Sequence, residues 1–333
     1  MYLYGRAVKN INQVCLRLKL EDRFVVITDK DRVDIGKAIL EDGDKICKTK
    51  LFLIEDYVAR PAKFFPKNLK KDIEEFKPTV SVYAATGKEG ELQNFRLHLI
   101  DLLTKILKCR HGHMINVDKA IMLDGMSQNY QRIQATCDKL YEVMRKARNI
   151  EVTCPYGTHV VASFSPNLRW KKDDGRINSP KEWGNLPAGE VFTCPASVEG
   201  EVVAWEAGDY FSEKYGVFKD PAKIKIQDSE ISQVKSKNKK FVYDFNSYIT
   251  KYKNGNRVGE FAIGCLVGLR RLMGNLLQDE KFPGVHMAFG HPYPEFTGQT
   301  SWDCPTHIDV IPLRVDVKVD GMSLLRNGKF VNI

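Results

Sequence analysis

The stretch GVHMAFGHPYPEFTGQTSWDCPTHIDVIP, residues 284–312, decides how the rest of the chain is read. Within it, Thr306-His307-Ile308-Asp309-Val310-Ile311 alternates polar and apolar positions, as a strand does. Side chains two apart on a strand share a face, so His307 and Asp309 point the same way. Val285-His286-Met287-Ala288-Phe289 is a second short apolar run with an imidazole near its start. An imidazole and a carboxylate on one strand face, joined by an imidazole from another strand, commonly hold a divalent transition metal. One buried structural histidine and one surface ion pair would write the same letters, so this stretch alone leaves both readings open.

Working outward, composition narrows the classes. At 333 residues, 43% hydrophobic and 28% charged, the chain resembles an ordinary globular protein with room for one large or two ordinary domains. It contains no run of about 18 apolar residues, so no membrane-spanning helix is expected. Met1-Tyr2-Leu3-Tyr4-Gly5-Arg6 lacks the order of a signal peptide. The eight cysteines lie far apart and none forms a Cys-x-x-Cys pair. Neither a zinc ribbon nor a disulfide framework is indicated, and reduced thiols of a cytoplasmic protein are expected. The net charge of +9 is spread over separate short lysine segments, at residues 67–71, 171–172 and 235–240, each flanked by acids. Without interleaved aromatics these read as solvated surface, and no specific nucleic-acid partner is expected.

Along the chain, Met1 to Leu20 has helical apolar spacing, Arg23 to Asp29 reads as a buried parallel strand, and Asp31 to Leu40 as a helix. Further strands are expected at Lys50 to Ile54 and Thr79 to Tyr83, with a helix over Leu92 to Leu107. This alternation predicts a parallel α/β unit. No Gly-x-Gly-x-x-Gly or Walker sequence follows its strands, so no nucleotide site is assigned. Beyond a possible strand at Met114 to Val117 and a long helix over Asp124 to Arg148, short strand runs broken by Gly, Pro, Asn and Asp dominate. Asn327-Gly328 between two apolar stretches marks a terminal hairpin. The fold expected is an N-terminal α/β domain with a parallel-type sheet (1–112), followed by a larger mixed α+β metal-binding domain (113–333).

Two glutamates extend the constellation. Glu190 stands between Gly189 and Val191 where an apolar strand begins, and Glu260 repeats that setting in Gly259-Glu260-Phe261-Ala262-Ile263-Gly264. An unpaired carboxylate entering an apolar run is costly, so each is expected to be paired or metal-bound unless the strand end is exposed. Taken with His286 and the His307-x-Asp309 pair, these segments resemble the aminopeptidase T family of metallo-aminopeptidases, also called the thermophilic metalloprotease family. The resemblance covers roughly His113 to the C-terminus and rests on Asn185 to Phe192, Glu260 to Gly264, Asp279-Glu280 followed by His286 to Gly290, Tyr293, and His307-x-Asp309. It implies metal ligation by Glu190, Glu260, His286, His307 and Asp309, with Tyr293 at or near the metals. His291 is not a family ligand, and the first hundred residues resemble the family only in their α/β rhythm.

What the resemblance implies is a metal-dependent aminopeptidase with two divalent ions per chain (Zn, Co, Mn or Mg). Five strong ligands, three of them carboxylates, suit two ions better than the single ion that about three protein ligands hold. Two such ions activate a shared water and polarise the scissile carbonyl, and one can hold the free α-amine. Glu260 is the candidate bridging ligand or general base, and Tyr293 the candidate oxyanion donor. Peptides with a free N-terminus are the expected substrates, and a homodimer the expected assembly. The rival is a mononuclear Fe(II) ring-cleaving dioxygenase of the dihydroxypyridine type on the same fold, with His286, His307 and Asp309 as its facial triad. A non-catalytic relative is the third reading.

Overall fold

The computed structural model describes residues 4–208, 210–331 and 333. The chain forms two compact units, Met1–Gln131 with Gly175–Ala188, and Arg132–Asp174 with Gly189–Ile333. Residues 113–131 and 175–188 thus pack with the first unit, which the chain leaves and re-enters.

Four strands of the first unit are β1 (Arg23–Thr28), β2 (Lys48–Leu53), β3 (Val80–Ala85) and β4 (Arg110–Ile115). The fifth arrives only after β5 (Asn149–Thr153), β6 (His159–Ser163) and β7 (Lys171–Asp173) of the other unit, as β8 (Trp183–Asn185). They form one sheet in the order β2-β1-β3-β4-β8, every pair parallel. Continuous apolar runs such as Phe24-Val25-Val26-Ile27 suit strands covered on both faces, and all four of those side chains are fully buried. Helices Val33–Gly43 and Lys67–Phe76 and the helical stretch from Leu92 to Ile106 supply the covering layers. One face packs around Val25, Ile27, Phe52, Leu69, Phe95 and Leu103. The expected N-terminal helix runs from Gly5 to Cys15, its second half in wide π turns. Met1 to Leu3 lie outside the described residues.

β3 and β4 bury a polar chain inside this unit. Ser81 Oγ lies 2.9 Å from His111 Nδ1, His111 Nε2 lies 3.2 Å from His113 Nδ1, and His113 stacks on Tyr83 at 4.9 Å. A hydrogen bond between two imidazole nitrogens needs one of them bare, so the two rings cannot both be charged. Burial pushes His111 down to about 3 and, with the charge of its neighbour, holds His113 well below the ordinary histidine range. Unfolded histidines take up protons near pH 6.5. Between there and pH 3 the unfolded chain binds more protons than the folded one. The stability contributed by the neutral pair is therefore full above about pH 6.5 and is lost on acidification, by about 1.4 kcal/mol per pH unit for each histidine. Urea unfolding at pH 6 and pH 5 checks this: stability is expected to fall across that step, and His113→Phe to reduce the fall by about one proton's worth. An unfolding free energy that is flat from pH 6.5 to 4.5 rules it out.

The second unit is antiparallel throughout. To β5, β6 and β7 it adds β9 (Glu190–Thr193), β10 (Ser197–Ala207), β11 (Ala222–Gln227), β12 (Glu230–Lys235), β13 (Val258–Gly264), β14 (Gly284–Gly290), β15 (His307–Pro312), β16 (Asp316–Val319), β17 (Met322–Arg326) and β18 (Lys329–Phe330). They make a 13-stranded sheet in the order β18-β17-β16-β5-β6-β10-β15-β14-β13-β9-β7, with β11 and β12 branching from β10. The expected terminal hairpin is β17–β18, and Asn327 and Gly328 both take the positive φ (48° and 71°) that a tight two-residue turn requires. Among the described residues no helix is long and apolar enough to cross a membrane.

One expectation is corrected in this unit. Cys137, on helix Tyr130–Met144, is disulfide-bonded to Cys265 immediately after β13, and no other cysteine among the described residues forms a disulfide. The two lie 128 residues apart. Their pairing arises from the packing of helix against strand end, which no spacing in the sequence announces.

Candidate metal centre

β9, β13, β14 and β15 are consecutive neighbours in the sheet, and period-two alternation sorts their side chains into two faces. One face is Val191, Phe261, Ile263, Val285, Met287, Phe289, Ile308 and Val310, all at most 2% exposed. The other carries Glu190, Glu260, His286, His307 and Asp309. The register also decides what stands opposite each of these. Glu260 pairs with Ala288, which pairs with Asp309; His286 pairs with Ala262; His307 pairs with Gly290; Glu190 pairs with Gly264. Directly opposed Cβ atoms are only about 4.5–5.5 Å apart. Across β13 and β14 every long polar side chain thus faces a residue with at most a methyl group, and that leaves the space in which the five converge; on its β7 side Glu190 meets Asp173.

His286 Nε2 lies 3.4 Å from Glu190 Oε2 and 3.4 Å from Glu260 Oε1. His307 Nε2 lies 3.4 Å from the other oxygen of Glu260 and 3.6 Å from Asp309 Oδ1, and that Asp309 atom is also 3.9 Å from His286 Nε2. Glu260 therefore spans the two imidazoles, one oxygen to each. Ligand atoms of Glu190, Glu260 and His286 all fall within 4.8 Å of one another. Glu190, Glu260, His286 and Asp309 are buried, whereas the His307 side chain keeps 20% of its surface exposed and forms the open side.

Local backbone rules aim these groups. Gly189 adopts φ +144°, and a Cβ there would stand 2.9 Å from the Leu266 amide nitrogen, so the turn into Glu190 needs glycine. Gly290, at φ +104°, approaches Thr306 so closely that a Cβ would meet its carbonyl oxygen at 2.0 Å. His307 Nδ1 is 3.1 Å from the His291 carbonyl, to which it donates, leaving Nε2 to face the carboxylates. That backbone contact is what residue 291 contributes; its own ring turns away to Asp303, at 2.6 Å. Tyr293 caps helix Pro294–Thr297 with φ 50°, and its ring lies 4.8 Å from that of His307 and 5.9 Å from Phe192.

The electrostatics match a cation-binding cluster. Burial raises the Glu190 carboxyl, only partly offset by Lys281 and His286. Burial disfavours both imidazolium ions, yet the surrounding carboxylates outweigh it, raising His286 and taking His307 up to about 9. Asp309 is likewise disfavoured as an anion by burial and is lowered overall by His307 and His286. Glu190 Oε2 is buried without a hydrogen bond. Three carboxylates with two imidazoles form a nitrogen–oxygen donor set suited to divalent transition metals, and the unpartnered oxygen fits such an ion.

A profile of the thermophilic metalloprotease (M29) family matches residues 114–306, a span that carries Glu190, Glu260, His286 and Tyr293. The chain belongs to this family. Membership makes this M29 chain a metal-dependent peptidase, a hydrolase of the metallo-aminopeptidase kind. No curated protein matches it. Among solved structures it is similar to wild-type AmpT from Thermus thermophilus, with a TM-score of 0.68 and 16% identity over 99% of this chain and 98% of that one. It is similar also to 2,5-dihydroxypyridine dioxygenase from Pseudomonas putida KT2440, with a TM-score of 0.68 and 13% identity over 99% and 97%. At those identities both share a fold with the M29 chain.

Sequence reasoning marked Asp279-Glu280 of this metalloprotease only as part of a motif and passed over Lys281 and Asp173. Asp279 accepts backbone N–H bonds from Met273, Gly274 and Asn275 (2.7, 2.7 and 3.2 Å) and so ties down the loop before it. Glu280 pairs with Lys281, a fully buried lysine whose Nζ also lies 3.4 Å from Glu190 Oε1. Asp173 stands directly across from Glu190 on β7, and burial and that charge push it up to about 7. Only the pairing of strands brings these groups together. A lysine one place after Asp-Glu reads locally as surface charge.

Proposed function

We propose that this M29 chain releases the N-terminal residue of peptides, and that Glu190, Glu260, His286, His307 and Asp309 hold two divalent ions for that purpose. The observation that carries the reading is the placement of Glu260, whose two oxygens each stand 3.4 Å from a different imidazole. Glu190, Glu260 and His286 then make one ion position, and His307, Asp309 and the second Glu260 oxygen the other. When bound, two such ions supply a water acidic enough to attack at neutral pH and a Lewis acid for the scissile carbonyl.

The protein's own groups do the remaining work. Glu260 would lend one oxygen to each ion or accept the proton of the attacking water. The Tyr293 phenol, beside the His307 ring, is the donor for the oxyanion that develops on the carbonyl oxygen. The His291 carbonyl keeps the Nε2 of His307 bare toward the site. Zn, Co, Mn and Mg all accept such nitrogen and oxygen ligands. The family resemblance also carries the expectation of a homodimer, which sedimentation measures.

Elemental analysis of the purified protein, alongside amino-acid release from short unblocked peptides, tests the reading. Two ions per chain and sequential release of N-terminal residues are expected. One structural neighbour is 2,5-dihydroxypyridine dioxygenase, and His286, His307 and Asp309 would also serve as a two-histidine, one-carboxylate triad for iron. One iron per chain with oxygen uptake on a dihydroxypyridine would replace the peptidase reading with that one.

A further inference from the structure

Lys281 is 0% exposed, a costly place for an ammonium ion unless it is paired. Its partners are two carboxylates, Glu280 and Glu190. The position is built rather than incidental. Gly264, opposite Glu190 in the sheet, lacks the side chain that would collide with this segment: a Cβ there would stand 2.7 Å from the Lys281 carbonyl and 2.2 Å from that of Phe282. Leu266 donates its N–H to the Lys281 carbonyl at 3.0 Å, fixing the backbone from which the side chain reaches Glu190.

The consequence is an asymmetry between the two halves of the cluster. Glu190 Oε1 lies toward Lys281, which leaves only Oε2, the unpartnered atom beside His286 Nε2, to serve an ion. Neither His307 nor Asp309 has an ion pair to a lysine or arginine among the described residues. Building on the two-ion reading above, we propose that Lys281 is a positioning residue that confines Glu190 to single-oxygen ligation and makes the two ion positions unequal. The His307–Asp309 position fills first, and the Glu190–His286 position binds its ion more weakly and exchanges it more readily.

Titration of the metal-free protein with Co²⁺, followed by calorimetry and by the visible absorption of the bound ion, tests this without reference to turnover. The wild type is expected to fill in two steps. Lys281→Met should tighten the weaker step by about tenfold, the effect of removing a unit charge about 6 Å from a dication even at the dielectric constant of water. The tight step, whose ligand Asp309 also feels the Lys281 charge, should shift less. Lys281→Arg should preserve the wild-type gap. Should Lys281→Met fail to fold, Glu280→Gln reads the same coupling with opposite sign. It leaves Lys281 with Glu190 alone and weakens the second step severalfold. Two steps that ignore Lys281→Met, or a Glu280→Gln chain whose second step is unmoved, overturn the inference. Saturation of the wild type at one ion sinks the two-ion reading itself.

Discussion

Glu260→Gln is expected to lower kcat for an aminoacyl amide by about 10³-fold or more. The side chain is buried at 5% exposure, and glutamine keeps its volume, so the fold should survive. What is lost is specific. A neutral amide offers one carbonyl oxygen where the carboxylate offers two, so it can no longer serve both imidazole positions, which now lie 3.4 Å from opposite oxygens. It is also too weak a base to take a proton, a role worth about 10²–10⁴-fold alone. Metal content is expected to drop in the same variant, since the shared ligand is gone. A Glu260→Gln protein with two ions and near-normal kcat would remove Glu260 from the chemistry.

Ala288→Leu is the second large effect, and it changes no charge. Ala288 is fully buried between Glu260 on one neighbouring strand and Asp309 on the other. A leucine side chain there grows into the gap where the carboxylates converge, at a cost of about 1–3 kcal/mol in stability. Displacing the ligands by about 1 Å is enough for a 10²-fold loss of activity. The expected protein is folded by circular dichroism, somewhat less stable, depleted in metal and at least about 100-fold less active. Full metal occupancy and activity would mean that this face of the sheet is not the one that binds.

Much of the fold was legible because it rests on local patterns. Phe24-Val25-Val26-Ile27 announces a doubly covered strand, and Asn327-Gly328 announces its turn. The ligand strands were legible for the same reason: His307 and Asp309 must share a face because side chains alternate along any strand. That the residue before Glu190 must be glycine shows only in the structure, where the backbone there takes φ +144°.

Which strands become neighbours is a different kind of fact. β8 returns to the first sheet beside β4, Cys137 meets Cys265 across 128 residues, and Lys281 reaches Glu190 from a backbone packed against Gly264. None of these leaves a trace within a dozen residues of itself, because pairing free energy comes from surfaces that exist only after folding. By itself the sequence of this M29 chain determined the residue types of a candidate metal cluster and the face each presents on its own strand. Only the tertiary structure decided that small residues stand opposite them across β13 and β14, that Asp173 stands on the other side of Glu190, and that a buried lysine reaches one of the carboxylates.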